Sequence, residues 1–403
     1  MQHLELWEKA GLLPTSPHPL NVPVERAEGV FIYGGGKKYL DLISGIAVNI
    51  LGHRHPRVVE AVKKQVDRYD HVMVYGDFIL DVQMEYAKQL TSLLPPSLNT
   101  VFFTNSGSEA IDAAIKLSRR FTGKKKIIAF KNAYHGSTFG SWTLASHSDI
   151  VKGMEPLLPE VYHAEFNDIE SVDRLMEGDV ACVIVEPIQG EAGVVPAKPE
   201  FLMQLRKLCD EQGALLVFDE VQTGFGRAGS LFAFEKYGVV PDVLVLAKAL
   251  GGGFPLGAFI SSRKIMSVLL EPPFGHITTY GGHPVSCAAG LTTLKVLIEE
   301  DILSKRIPQL ETIMKNTLFQ TLGDMPNVKI SIEGIMGAIH LPDANLTDRV
   351  IRKIIEKHNI IVDWFLFAET GIRIYPPAII EDDQLEYALL TIANVIKEEI
   401  AKR

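Results

Sequence analysis

Three places in this chain carry charge where packing gives no reason for it. An apolar run, Asp242–Ala247, reads as a buried strand and leads into Lys248, after which the chain breaks into Gly251, Gly252 and Gly253. A second run, Ala181–Val185, ends in Glu186, and a third, Ala214–Phe218, ends in Asp219 and Glu220. A lysine at the end of a buried strand is costly, because desolvation disfavours the ammonium and lowers its pKa. The neutral amine that results can attack a carbonyl and form a Schiff base. The plain alternative is a lysine that leaves the sheet and snorkels to water. Ligands of open α/β sheets bind at the carboxyl ends of the strands. If these runs are parallel neighbours, two acids and one amine meet at a single crevice.

A fourth run, Thr100–Thr104, is followed by Asn105-Ser106-Gly107-Ser108-Glu109 and then a helical pattern. Small residues at a strand-to-helix turn let backbone N–H groups approach a phosphate. An ordinary N-cap, with Ser106 or Ser108 as cap and Glu109 as the first-turn acid, satisfies the same pattern. The segment is neither a Walker motif nor G-x-G-x-x-G. A phosphate site, a Schiff-base lysine and a strand-end aspartate together meet the needs of one cofactor, pyridoxal 5'-phosphate. The lysine holds the aldehyde, and the carboxylate keeps the pyridine nitrogen protonated so that the ring accepts electrons.

Those residues need a sheet that presents its strand ends together. From about residue 100, short apolar runs, Lys126–Phe130 among them, alternate with amphipathic segments such as Glu109–Arg120 and Glu200–Glu211. The alternation, with continuous rather than alternating hydrophobicity in the runs, predicts an α/β fold. Its mostly parallel central sheet is flanked by helices. Before it lie short strands at Val30–Tyr33 and Tyr39–Leu42 around the turn Gly34–Gly36, a helix from Pro56 that spaces Val58, Val62, Val66 and Tyr69, and a helix over Leu80–Leu94. After Pro284 come helices through Ile298 and over Ile302–Leu322, strands at Val328–Ile332 and Met336–Leu341, and a helix over Leu346–His358. Strands at Ile360–Phe365 and Gly371–Tyr375 and a last helix from about Asp382 complete the chain. The predicted division is a large domain over 46–284 and a smaller α+β domain built from both chain ends, 1–45 and 285–403.

A length of 403 residues suits such a pair, and 47% hydrophobic residues supply a sizeable core. The net charge of −9, with both signs interspersed, calls for neither nucleic acid nor an anionic membrane. Cys182, Cys209 and Cys287 have no metal-ligand spacing, so no metal is expected, and their sparse, odd count fits a reducing compartment. No basic segment followed by an apolar one opens the chain, and no apolar run approaches the roughly 20 residues of a membrane span. The expectation is a cytoplasmic protein without membrane contacts.

At this point the residues resemble a known family. The stretch DEVQTGFGRAGSLFAFEKYGVVPDVLVLAKALGGGFPLGA, Asp219–Ala258, is similar to the class III aminotransferases of pyridoxal-phosphate fold type I, which include ornithine, acetylornithine and 4-aminobutyrate aminotransferases. The likeness continues in EPIQGEAGV (Glu186–Val194), NSGSEA (Asn105–Ala110), HITTYGGHP (His276–Pro284) and SGIAVNILGHRHP (Ser44–Pro56), in family order over nearly the whole chain. The resemblance implies that Lys248 forms the Schiff base and then shuttles a proton. It implies that Asp219 pairs with the ring nitrogen, that Val221 and Tyr134 pack on the two faces of the ring, and that Gln222 hydrogen-bonds the phenolic oxygen. His135 belongs with these cofactor contacts. Gly107 and Ser108 take the phosphate, as does Thr279 from the neighbouring subunit, which implies a homodimer with shared active sites.

For substrates, the resemblance gives Arg373 the α-carboxylate of glutamate and 2-oxoglutarate, and makes Glu191 the acid that covers this arginine when the amino donor is bound. Glu186, Ile46 and Ser137 complete the substrate side. The implied reaction is ping-pong transfer of a terminal amino group, from a donor such as N-acetylornithine or 4-aminobutyrate, to 2-oxoglutarate or pyruvate. Three features depart from the family. Ser137 stands where ornithine and acetylornithine enzymes have arginine, His283 replaces an asparagine, and Trp364–Phe367 is unusually aromatic, as if lining an apolar pocket. These departures argue against plain ornithine as donor. An aminomutase or racemase of the same fold, a cofactor-independent Schiff-base aldolase and a catalytically silent homologue are the rival readings.

Overall fold

The computed structural model describes residues 5–16 and 18–402. Residues 1–4, part of the N-terminal stretch read as lacking a secretory signal, lie outside the described residues. Near the N-terminus β1 (Arg26–Glu28), β2 (Phe31–Gly34) and β3 (Lys37–Asp41) form an antiparallel meander, with the last turn at the predicted glycines. The central strands follow as β4 (Thr100–Thr104), β5 (Lys126–Phe130), β6 (Val161–Ala164) and β7 (Val180–Val185). A short ribbon of β8 (Ile188–Gln189) and β9 (Val195–Pro196) interrupts them before β10 (Leu215–Asp219), β11 (Val243–Leu246) and β12 (Gly257–Ser261). The seven-stranded sheet runs β4-β12-β11-β10-β7-β5-β6. Only β12 runs against its neighbours.

The middle strands β7, β10 and β11 are buried along their whole length. Helices cover both faces, which is why these strands read as unbroken apolar runs. Val217, Val243 and Val245 pack with Ala110, Ile111 and Ala114 of the helix Gly107–Thr122. Leu216, Phe218 and Leu244 face the opposite core with Phe201, Leu202 and Leu205 of the helix Pro199–Gln212.

The C-terminal part adds β13 (Lys329–Glu333), β14 (Met336–His340), β15 (Ile360–Ile361), β16 (Asp363–Trp364) and β17 (Gly371–Ile374). β15 pairs in parallel with β3, Ile360 opposite Leu40, so residues from both chain ends share one sheet. The single strand expected over Ile360–Phe365 is two strands in different sheets, because β16 pairs with β17 instead. A single charged residue, Asp363, in an otherwise apolar run gives no period from which that switch can be read. The helix expected from Ile302 begins as a π-turn over Ile302–Arg306 and becomes α-helical at Ile307. Pro308 sits in that first turn, where a missing N–H costs nothing. Strands β6 and β12 were not expected. β12 is short, glycine-led and antiparallel, and only its pairing with β4 and β11 makes it a strand. Among the described residues no helix is long and apolar enough to cross a membrane.

Candidate active site

Because β7, β10 and β11 are adjacent and parallel, Glu186, Asp219 and Lys248 emerge on the same edge of the sheet. Lys248 follows β11 with φ +50°, a left-handed conformation that costs a non-glycine residue roughly 1–2 kcal/mol. The turn is held from outside. The Tyr86 hydroxyl donates to the Leu250 carbonyl at 2.6 Å, tying the turn to the helix Asp81–Thr91. Strain kept in place by surrounding structure is typical of functional positions. Lys248 lines a cavity of about 350 Å³. Burial lowers the pKa of its ammonium, and the nearby Glu191 carboxylate offsets part of that shift.

Asp219 lies on the cavity wall and is fixed from behind. His135 Nδ1 sits 2.7 Å from Asp219 Oδ2, and the Val221 N–H donates to Asp219 Oδ1 at 3.0 Å. Burial pulls the His135 pKa down, but the hydrogen bond and charge of Asp219 outweigh it and the net shift is upward. Glu186 accepts the Tyr134 N–H at 3.1 Å and the Gly190 N–H at 3.3 Å. Its pKa rises through burial, with the His135 charge opposing the shift and Asp219 adding to it. Tyr134, Val221 and Gln222 also face the cavity.

At the far end the helix Gly107–Thr122 points its N-terminus at the same space, with Gly107 and Ser108 on the wall. Ser106 is the N-cap and accepts the Glu109 N–H at 3.2 Å. The cap and the anion-binding geometry therefore coexist. The capping hydroxyl satisfies one N–H, and the dipole and the remaining N–H groups are left for an anion. Gly136 makes this close fit possible. Its φ is +115°, and a Cβ there would lie 2.8 Å from the Ser108 Cα. An amine, a strand-end carboxylate and a helix N-terminus around one cavity are what an aromatic aldehyde carrying a ring nitrogen and a phosphate needs.

Next to this cavity lies a buried ion pair. Arg373 Nη2 donates to Glu191 Oε2 at 2.5 Å, and the two side chains are 2% and 7% exposed. Glu191 also accepts the Gln222 amide N–H at 3.0 Å and the Leu366 N–H at 3.0 Å. Burial raises the Glu191 pKa, but Arg373 and then Lys248 overcome it, and the net shift is downward. The Arg373 guanidinium stacks over Phe365, 4.9 Å from the ring centre. Its Nε and Nη1 atoms are buried without a hydrogen-bond partner among the described residues. The aromatic loop Trp364–Phe367 thus packs around the ion pair, and its residues do not line the cavity that holds Lys248. Phe367 stacks on His147 at 4.0 Å and meets Tyr134 edge-on at 6.3 Å.

Three of the residues named from sequence stand outside the lining of this cavity. Ser137 is exposed, and its N–H donates to Ser108 Oγ at 3.1 Å. Ile46 is exposed within a left-handed turn in which Ser44, Gly45, Ile46 and Ala47 all have φ between 52 and 64°. Thr279 is exposed in the loop before the helix Pro284–Glu299, away from this chain's own cavity. Glu220, written beside Asp219 in sequence, turns the other way and accepts the N–H groups of Ala233 and Phe234. Sequence reasoning passed over Val48 and Phe254, which line the cavity, and Tyr375, whose hydroxyl donates to Gln222 Oε1 at 2.9 Å. Tyr375 follows Arg373 by two residues, the spacing that places side chains on one face of extended chain, and that was a usable signal.

Comparison with known proteins gives one family. The profile described as Aminotransferase class-III matches residues 13–396. The acetylornithine aminotransferase of Methanopyrus kandleri is 39% identical, with 90% of each chain aligned. The putrescine aminotransferase of Pectobacterium atrosepticum is 38% identical over 90% of this chain and 79% of its own. Among solved structures, the ornithine aminotransferase of Toxoplasma gondii superposes with a TM-score of 0.91 at 26% identity, covering 100% of this chain and 96% of that one, and holds PLP at partial occupancy in its active site. A transaminase from the marine bacterium Virgibacillus gives 0.92 at 26% identity, covering 100% of both chains.

Proposed function

This chain belongs to the class-III aminotransferases, fold type I enzymes that transfer nitrogenous groups, and on that premise we propose that it uses pyridoxal phosphate to move a terminal amino group from an amine donor to 2-oxoglutarate. The observation that carries this reading is the convergence of Lys248, Asp219 and the N-terminus of the helix Gly107–Thr122 on one cavity. When bound, the cofactor supplies an aldehyde to carry the amino group and a protonated ring to accept electrons. Lys248 moves the proton, and the downward shift of its pKa by burial brings the amine toward working pH. Asp219, fixed by His135 and the Val221 N–H, would hold the ring nitrogen. Tyr134 and Val221 would bracket the ring, Gln222 would reach its phenolic oxygen, and Gly107 and Ser108 would hold the phosphate, all of them residues of the cavity wall.

A ping-pong cycle needs one pocket to accept two unlike substrates in turn. Arg373 binds the carboxylate of the keto acid, and Glu191 covers it while the donor occupies the site. Ser137 offers no cation for a carboxylate on the donor. This argues against plain ornithine as donor, and N-acetylornithine or 4-aminobutyrate, which also carry a carboxylate, would need another group to hold it. Relatives named for acetylornithine and putrescine support a terminal amine. The homodimer has support on the surface. Tyr75, Met84, Leu270 and Thr278 line one surface hollow, next to exposed Phe78, Ile79 and Tyr280. Thr279 lies in the same loop as Thr278, where a second copy would bring it to the neighbouring site.

The test is optical. Protein loaded with the cofactor should be yellow, lose the band with an amine donor and regain it with 2-oxoglutarate. Colourless protein active on carbonyl compounds alone would replace this reading with the aldolase. A band unresponsive to every amine would replace it with a silent homologue.

A further inference from the structure

We propose that Tyr375 is a positioning residue that fixes the amide of Gln222 with its nitrogen toward both Glu191 and the cofactor cavity. The inference rests on the pyridoxal-phosphate reading above and deepens it. Glu191 is an ion-paired carboxylate and can only accept hydrogen bonds, so the end of the Gln222 amide facing it must be the NH₂. The amide oxygen then points the other way and needs a donor. The Tyr375 hydroxyl supplies it at 2.9 Å, with both residues buried. Burial drives the Tyr375 pKa far up, which keeps the phenol protonated and a donor, although the Arg373 charge opposes the shift.

The backbone confines the amide without choosing between its two ends. A Cβ at Gly190 would lie 2.6 Å from the Gln222 Cδ, so the amide is pressed flat against bare main chain, and which end faces the cavity is left to its hydrogen-bond partners. One N–H of Gln222 goes to Glu191, and the second remains for the cavity that Gln222 lines. Tyr375 itself is held. Its N–H donates to the Leu42 carbonyl at 2.6 Å, its carbonyl accepts the Ser44 hydroxyl at 2.7 Å, and Arg227 donates to the next carbonyl, that of Pro376, at 2.6 Å. The phenol thus joins the C-terminal sheet to the wall of the large domain. Without it, the buried amide oxygen is unsatisfied and the amide is free to turn its acceptor toward the ring oxygen.

The experiment is a pH titration of the visible band of the pyridoxal-phosphate-loaded protein. A hydrogen bond donated to the ring oxygen lowers that oxygen's basicity and with it the apparent pKa of the band. Tyr375→Phe and Gln222→Leu should each raise this pKa by about half a unit or more, and the two combined should raise it no further than the larger single change. Ser44→Ala disturbs the same segment without touching the phenol, so it should lower the melting temperature and leave the titration unmoved. Absence of the band in the parent protein overturns the cofactor reading and this inference with it. A shift with Gln222→Leu but none with Tyr375→Phe leaves the cofactor reading standing and overturns the role of Tyr375, as does an additive double variant. Should Tyr375→Phe not fold, an unmoved titration in Gln222→Leu still overturns the inference, because Tyr375 would then have nothing to position.

Discussion

Replacing Glu191 by glutamine should push the two halves of the catalytic cycle in opposite directions. On the proposed roles, an incoming carboxylate reaches Arg373 only by displacing Glu191, which sits 2.5 Å from the guanidinium in a pair with side-chain exposures of 2% and 7%. Removing one charge from such a buried pair costs ~3–5 kcal/mol, mostly because the other charge is left uncompensated. Glutamine keeps the shape and still offers Leu366 N–H and Arg373 an acceptor, so about half of that, ~2 kcal/mol, is a fair figure for what a keto-acid carboxylate recovers by neutralising Arg373. At 1.4 kcal/mol per tenfold, 2-oxoglutarate should bind the Glu191→Gln protein roughly 30-fold more tightly. The donor half-reaction should slow by about tenfold or more, because an uncovered guanidinium then faces the amine.

Stopped-flow measurement of each half-reaction separately, following loss of the visible band with donor and its return with 2-oxoglutarate, reads the two effects independently. A 2-oxoglutarate dissociation constant that is unchanged or weaker in Glu191→Gln would refute the argument. It would mean that Glu191 does not compete with the acceptor for Arg373. Urea denaturation of the same variant should show a loss of comparable size, ~2 kcal/mol, since the guanidinium is equally uncompensated in the resting protein.

Other perturbations test other parts of the site. Lys248→Ala should abolish turnover yet still retain the cofactor on gel filtration, and measurable turnover would contradict its role. Gly136→Ala forces a side chain into a φ of +115° and to 2.8 Å from the Ser108 Cα, a combined strain of ~2–5 kcal/mol; cofactor affinity measured by dialysis should fall at least tenfold, and parent-like affinity would show that the turn relaxes freely. Burial raises the Glu220 carboxyl from 4.5 to about 7, so between those values the folded protein keeps a proton that the unfolded chain has lost. Stability from this group is therefore full below about pH 4.5 and falls as pH rises to 7, by roughly 3 kcal/mol. In urea melts at pH 5 and pH 8, Glu220→Gln should gain on the parent by about that amount at the higher pH, and parallel behaviour would remove the assignment. A donor panel should not place ornithine highest in kcat/KM, and if it does, the argument from Ser137 fails.

The convergence of three polar strand ends was legible in sequence for a simple reason. Glu186, Asp219 and Lys248 each stand where an unbroken apolar run ends, so each breaks a local pattern. The topology then had only to make the runs β7, β10 and β11 neighbours, and it did. The two faces of the same strands hid β12, whose five residues carry no period of their own and are defined by partners on either side. The turn over Ser44–Ala47 was equally hidden. Consecutive left-handed residues have no propensity signature, and only glycine among them invites the conformation. Glu220 shows the reverse error that adjacency invites, since neighbouring residues at a strand end point to opposite sides and only one of a pair can face the crevice.

Substrate selection was less legible, because it is written between distant segments rather than within them. Arg373 meets Glu191 across 182 residues, and Tyr375 meets Gln222 across 153. Both contacts join the end of the C-terminal sheet to segments that follow strands of the seven-stranded sheet, whereas Lys248, Asp219 and Glu186 all stand at strand ends of the seven-stranded sheet itself. A change in how β17 and the chain after it lie against the ribbon β8–β9 would alter the cover on Arg373 and the orientation of Gln222. It would leave the lysine, the aspartate and the helix N-terminus where they are. On the proposed roles, reaction type and substrate choice are carried by different parts of the fold. Substitutions in β17 and the loop Trp364–Phe367 should therefore redirect the enzyme among donors before they impair the proton transfer at Lys248, whereas substitutions at the β7, β10 and β11 strand ends should do the reverse.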